Sequence, residues 1–238
     1  MVWRKMRSQP VLSLARTPSR LMRMLLICLL AVSAIRVATA AELAPRLRRP
    51  VALAFTQNNL RLLVANGRGQ SLSLIDLAQQ KTIAEQSCGG VLSDLQPLGD
   101  DSWMLATDES NHQLLLLQVK NDRVQIQQRV LVSPYPVRVV VDQQGRFCYV
   151  TSLWSKRVTR LRLEKISGAW QATVVQAIDL PFSPRELLLL PGELRLVVAD
   201  SFGGNLALID TTKPATERLR LLGVRQFPGH NVRGLGLS

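Results

Sequence analysis

Pro136-Val137-Arg138-Val139-Val140-Val141, a joint at Gln143-Gln144-Gly145, Arg146 to Ser152 closing on Tyr149-Val150-Thr151-Ser152, and then Arg157 to Leu163 form one copy of a pattern that recurs along the chain. Upstream, Pro50 to Phe55 is followed by Leu60 to Asn66, closing on Val64-Ala65-Asn66, and by Ser71 to Asp76. Downstream, Pro184 to Leu190 is followed by Leu194 to Asp200, closing on Val198-Ala199-Asp200, and by Asn205 to Asp210. A fainter copy has Trp103-Met104-Leu105-Ala106-Thr107 in the second place and Gln113 to Val119 in the third. A fifth begins at Asn231-Val232-Arg233-Gly234-Leu235-Gly236-Leu237, where the sequence stops. The period is roughly 43–48 residues, the spacing of propeller blades.

Each copy reads as strand, tight turn, strand, polar loop, strand, then a fourth strand of variable length. The first joints are Gln57-Asn58-Asn59, Gly99-Asp100-Asp101, Gln143-Gln144-Gly145 and Pro191-Gly192, the residue types that tight turns require. Leu114 to Leu117, Val139 to Val141 and Leu187 to Leu190 are continuous apolar runs rather than alternating ones. Such runs suit strands buried on both faces, the environment of a blade between two neighbours. The expected fold class is all-β: a β-propeller of four-stranded blades, incomplete, with about four blades plus the first strand of a fifth. Residues 50–210 are expected to form four sheets about one axis, with Leu53, Val139 and Leu187 on innermost strands.

The copies resemble the YVTN-type β-propeller repeat, a family of secreted and periplasmic proteins. Tyr149-Val150-Thr151-Ser152 matches three of its four letters, with Ser152 in place of Asn. Val64-Ala65-Asn66 and Val198-Ala199-Asp200 are looser versions, and the third strands end in Leu74-Ile75-Asp76 and Leu208-Ile209-Asp210. The resemblance covers residues 41–238, read as a partial YVTN-type domain, and implies fold far more than activity. Some family members join the propeller to a c-type cytochrome domain.

Four blades of ~45 residues fall short of the six to eight common in propellers of this type. Two expectations account for the shortfall: a truncated form of a longer propeller protein, or an open half-propeller completed by a second chain. In either case the terminal blades would expose apolar flanks, Val51, Leu53 and Phe55 on the first and Leu219, Leu221 and Leu222 on the last. Self-association through them is therefore expected.

Residues 1–40 read as a secretory signal. Met1 to Arg23 carries six basic residues and no acid, Met24 to Ile35 is apolar, and Ala38-Thr39-Ala40 precedes Ala41. The apolar run is short of the roughly 20 residues of a membrane span, so no stable span is expected after cleavage; an uncleaved anchor is the alternative, since Arg36 interrupts the c-region. The expected location is periplasmic or secreted. Cleavage would lower the formal charge of +13 to roughly +6. The remaining charge clusters in Arg46-Leu47-Arg48-Arg49 and around Arg218, Arg220 and Arg225, without the aromatic interleaving or module of a nucleic-acid binder. No nucleic-acid partner is expected. Of Cys88 and Cys148, one falls before a blade and the other inside a second strand, so a bridge between them is not expected.

Loops joining an outer strand to the next inner strand share a face with the loops joining second to third strands, around the channel mouth. Arg49, Tyr135, Ser183, His230 and Asn231 are expected at inner-strand entries. Asn66, Arg68, Asn111, His112, Trp154, Lys156, Asp200, Phe202 and Asn205 are expected in the second-to-third loops. The candidate binding face is Arg49, Asn66, Arg68, His112, Tyr135, Trp154, Asp200, Phe202, His230 and Asn231. Loops on a rigid scaffold often carry function, although Trp154 and Phe202 could equally cap gaps between blades. With His112 and His230 the only histidines, a site of three or more is excluded.

No catalytic residues, metal site or cofactor are expected. The chain lacks a Gly-x-Ser-x-Gly elbow, a complete phosphate loop, a calcium loop and a Cys-x-x-Cys-His haem site. The functional expectation is an exported scaffold for a protein or small-molecule ligand. The alternative implied by the resemblance is a partial copy of a propeller enzyme, either a cytochrome c-linked oxidoreductase or a lactonase-like hydrolase.

Overall fold

The computed structural model describes residues 48–99, 102–192, 195–212, 219–229, 232 and 234–236. Sixteen strands form four separate four-stranded antiparallel sheets, and no helix occurs among the described residues. Blade 1 holds β1 (Pro50–Thr56), β2 (Arg61–Asn66), β3 (Ser71–Asp76) and β4 (Lys81–Ser87). Blade 2 holds β5 (Leu92–Pro97), β6 (Trp103–Asp108), β7 (Gln113–Lys120) and β8 (Arg123–Leu131). Blade 3 holds β9 (Pro136–Val141), β10 (Phe147–Ser152), β11 (Arg157–Ile166) and β12 (Ala169–Asp179). Blade 4 holds β13 (Pro184–Leu189), β14 (Arg195–Asp200), β15 (Asn205–Asp210) and β16 (Arg220–Gln226).

Within each sheet the strands follow chain order, and the first strands β1, β5, β9 and β13 adjoin in succession, which makes them innermost. No comparable contact returns from β13 to β1, so the arc is open. The first-to-second joints have the backbone their residues favour: Gln57, Asn58 and Asn59 lie at φ 53°, 55° and 64°, and Gly145 and Gly192 at 65° and 79°. Asn and Gly tolerate this left-handed region better than other residues do.

Strand alternation explains the continuous apolar runs. On β6, Trp103 and Leu105 enter the core between blades 2 and 3, while Met104 and Ala106 enter the core between blades 1 and 2. On β7, Leu114 and Leu116 face one way and Leu115 and Leu117 the other, all fully buried. Successive residues point to opposite faces, and here both faces are interior.

Cys88 and Cys148 are free and lie in different cores. Burial pushes the Cys88 thiol up to about 11 and raises the Cys148 thiol as well. Both are buried hydrophobes rather than reactive groups.

At the first blade Val51, Leu53 and Phe55 are exposed, as expected. At the last blade the expectation needs correction. Leu219 is buried and Leu221 packs into the core shared with blade 3, so of the three named leucines only Leu222 is exposed. The cause is a bulge: Leu208 pairs with Gly223 but Ile209 with Leu221, which leaves Leu222 as the extra residue and reverses the facing of the rest of β16. Val224 and Phe227 are exposed alongside Leu222. Of the fifth copy, Asn231, Arg233 and Leu237 lie outside the described residues, and Val232 and 234–236 form no strand.

Candidate functional site at the channel mouth

One hydrogen bond recurs in all four blades and fixes the geometry of the loop face. The residue just after the second strand donates its N–H to the carbonyl just before the first strand. The pairs are Gly67 to Arg49 (3.0 Å), Glu109 to Val91 (2.8 Å), Leu153 to Tyr135 (2.9 Å) and Ser201 to Ser183 (2.8 Å). Inner-strand entries and second-to-third loops therefore lie side by side, as the repeat register implies.

A second recurrence aims side chains into the mouth. Each innermost strand loses register at its second residue: between Pro50 and Ala52, Leu92 and Asp94, Pro136 and Arg138, and Pro184 and Glu186. The extra residues are Val51, Ser93, Val137 and Arg185. Bulges re-aim a side chain, and all four of these residues line one cavity of about 770 Å3.

Arg49, Arg68, Glu109, Arg138, Leu153 and Glu186 complete much of its wall. Gly67 belongs to it too: a Cβ there would stand 3.0 Å from the Leu92 carbonyl and 2.9 Å from Val51 Cγ1, so the loop approaches the next blade closely only as glycine.

The third residue of the innermost strands carries charge in blades 2 to 4. Arg138 Nη1 meets Asp94 Oδ1 at 3.1 Å, and its Nη2 meets Glu186 Oε2 at 2.7 Å. Asp94 Oδ2 also accepts the Val139 N–H at 2.9 Å. One guanidinium thus ties together the innermost strands of three blades; blade 1 has Ala52 at this position.

Burial pushes the Asp94 carboxyl above its ordinary range, and the Val139 N–H and Arg138 offset this only in part. For Arg138, burial acts to lower the value, but Asp94 and Glu186 together outweigh it and hold the guanidinium more firmly protonated. The asymmetry follows from one cation serving two carboxylates, the deeper of which is Asp94. Hydroxyls add contacts between blades: Ser93 donates to the Pro136 carbonyl (2.9 Å), and Thr151 to that of Arg185 (3.0 Å).

The residues named from sequence separate into three groups. Arg49 and Arg68 are exposed and line the cavity. Asn66 and Asp200 are buried strand ends that close their own loops: Asn66 Nδ2 donates to Ser73 Oγ (2.8 Å), and Asp200 accepts from Asn205 Nδ2 (2.6 Å) and the Phe202 N–H (3.1 Å). Asp108 does the same in blade 2 with Asn111.

The aromatics pair across adjacent blades. His112 and Tyr135 meet edge to face at 4.8 Å, with His112 Nδ1 accepting the Tyr135 N–H at 3.1 Å. Trp154 and Phe202 stack at 5.6 Å and stay 57% and 62% exposed, so each covers the other but neither fills a gap in the core. His230 and Asn231 lie outside the described residues.

The repeat pattern alone did not single out Ser93, Val137, Arg138, Arg185 or Glu186. For all but Val137 a signal was present: charged or polar residues break otherwise apolar innermost strands at the second position in blades 2 and 4 (Ser93, Arg185) and at the third in blades 2 to 4 (Asp94, Arg138, Glu186). The repeated bulge is what turns that signal into a site.

No family model matches the sequence, and no curated protein matches it. Among solved structures, the fold is similar to the periplasmic gluconolactonase PpgL of Pseudomonas aeruginosa, with TM-score 0.64 and 15% identity over 74% of this chain and 53% of that one. It is similar to Kuenenia stuttgartiensis hydrazine synthase, with TM-score 0.62 and 14% identity over 79% of this chain and 51% of that one. It is also similar to the β-propeller domain of Cps50 (Swd1) from Myceliophteria thermophila, with TM-score 0.56 and 14% identity over 75% and 59%. The structural neighbours are β-propeller proteins, and the fold of this chain is an incomplete propeller. The chain spans little more than half the length of these neighbours.

Proposed function

We propose that this chain is an exported, YVTN-type propeller module that captures a small anionic ligand at the channel mouth. The observation that carries the reading is the cavity of about 770 Å3 whose wall includes Arg49, Arg68 and Arg185. Arg138, in the same wall, already serves two carboxylates, but these three guanidiniums have no carboxylate or ring partner among the described contacts. Arginine presents a planar fork of donors suited to carboxylate and phosphate, and a concave mouth of one predominant sign focuses its field on an entering anion. The activities of the structural neighbours belong to those proteins; the likeness is one of fold.

Citrate tests the anion site, with glucose as the neutral control. Citrate is expected to saturate and to raise Tm, as any ligand that binds only the folded state must; at 100 times Kd the gain is about 2.7 kcal/mol. The double variant Arg68→Ser, Arg185→Ser is expected to abolish the shift while leaving the melt without citrate in place. An equal response in that variant, or none in the parent, would overturn the anion site. Export is tested separately by sequencing the N-terminus of the native protein. The expected first residue is Ala41, and an intact Met1 in a cytoplasmic fraction contradicts export.

A further inference from the structure

Among the described residues, the two ends of the arc present opposite halves of a contact that the chain makes three times internally. Leu95, Val139 and Leu187 hold the same position on their innermost strands, face the preceding blade, and are 5%, 1% and 7% exposed. Leu53 holds that position in blade 1, with no blade before it, and is 59% exposed.

At the other end, Leu206 and Leu208 stand where Leu72 and Leu74 stand in blade 1, fully buried against the following blade. In blade 4 the two are only half-buried and, with Val197 and Leu222, line an open groove of about 380 Å3.

We propose that a second copy of this chain covers both flanks, blade 4 of each packing against blade 1 of the other to close an eight-bladed ring. The occupant of the groove must present the face of a following blade, and the occupant over Leu53 the face of a preceding one. This chain carries both faces, and each is complementary to the other rather than to itself. Two copies supply eight blades, within the range of known propellers. The contact is heterologous, but a two-fold rotation closes it, so assembly ends at two chains.

Sedimentation velocity on the purified full chain is expected to give a discrete dimer. Leu53→Asp damages one face and Leu222→Asp the other; in a symmetric ring each removes both contacts, so each variant alone should dissociate at least ~100-fold more readily. An equimolar mixture retains one intact contact, blade 4 of the first variant on blade 1 of the second, and is expected to yield a heterodimer. Should either variant fail to fold, Phe55→Ser and Leu208→Ser replace them on the same two faces, and the same pattern of separate dissociation and joint heterodimer is expected. A monomer with a sharp melt, a dimer indifferent to both aspartates, or a mixture that forms no heterodimer would overturn the proposal. Aggregation without a discrete dimer would overturn it too, and would assign the flanks to blades of another chain.

Discussion

Trp103→Ala is expected to lower the unfolding free energy by about 3–5 kcal/mol, the cost of removing a large aromatic from a packed core. Trp103 is 2% exposed and sits with Leu105, Leu114, Leu116 and Cys148 between blades 2 and 3, while its neighbour Met104 serves the opposite core. The cavity cannot close by a shift of β6, because the other face of that strand is locked against blade 1. A domain is stable by only about 5–15 kcal/mol, so the change removes a large share of the total. Urea unfolding followed by far-UV circular dichroism measures it. Trp154→Ala is the control: that ring is exposed and stacked only on Phe202, and its loss should cost less than about 1 kcal/mol. Equal losses in the two variants would mean that the cores between blades are not where stability resides.

Arg138→Ala is expected to cost about 2–3 kcal/mol at neutral pH. Removing one partner of a buried pair typically costs about 3–5 kcal/mol, and the Arg138 side chain is 39% exposed, so solvent screening reduces the figure. The loss should depend on pH in a definite direction. Asp94 already titrates above its ordinary value because of burial, so the folded state takes up its proton more readily than the unfolded state does. Its contribution is therefore most favourable in acid and is lost as pH rises through the folded value. Without Arg138 that value rises further, and the deficit relative to the parent should be small near pH 4 and full at pH 7. Adding Asp94→Asn should recover part of the neutral-pH loss, since the more deeply buried of the two orphaned carboxylates is then removed and only Glu186 lacks its partner. Urea midpoints for the three proteins at both pH values decide it; a deficit independent of pH would refute the ionic account.

The blade pattern was legible because a propeller blade is built from local contacts. Strands adjacent in sequence pair with one another, so the turn residues, the strand lengths and the period all lie within one copy and can be read without knowing the rest. Runs such as Leu114 to Leu117 announced burial on both faces, and Leu53 and Phe55 announced an apolar flank, whereas Val51, grouped with them in the sequence, is turned by its bulge to the mouth cavity. The last flank was misread because facing depends on a bulge at Leu222, and a bulge belongs to the pairing of β15 with β16 rather than to either strand's composition.

The loop face shows the same division. The sequence by itself determined which loops share a side, through the register of the copies, and so brought Arg49 and Arg68 to the mouth. It could not separate them from Asn66 and Asp200, equally polar and equally placed, whose side chains turn inward to close their own loops. Only the tertiary structure decided that Val51, Ser93, Val137 and Arg185 point into one cavity, and that Arg138 of one blade answers Asp94 and Glu186 of its two neighbours. The physical reason is distance along the chain. Arg138 lies 44 residues from Asp94 and 48 from Glu186, about one repeat in either direction, so the partners meet only when whole blades stack around a common axis.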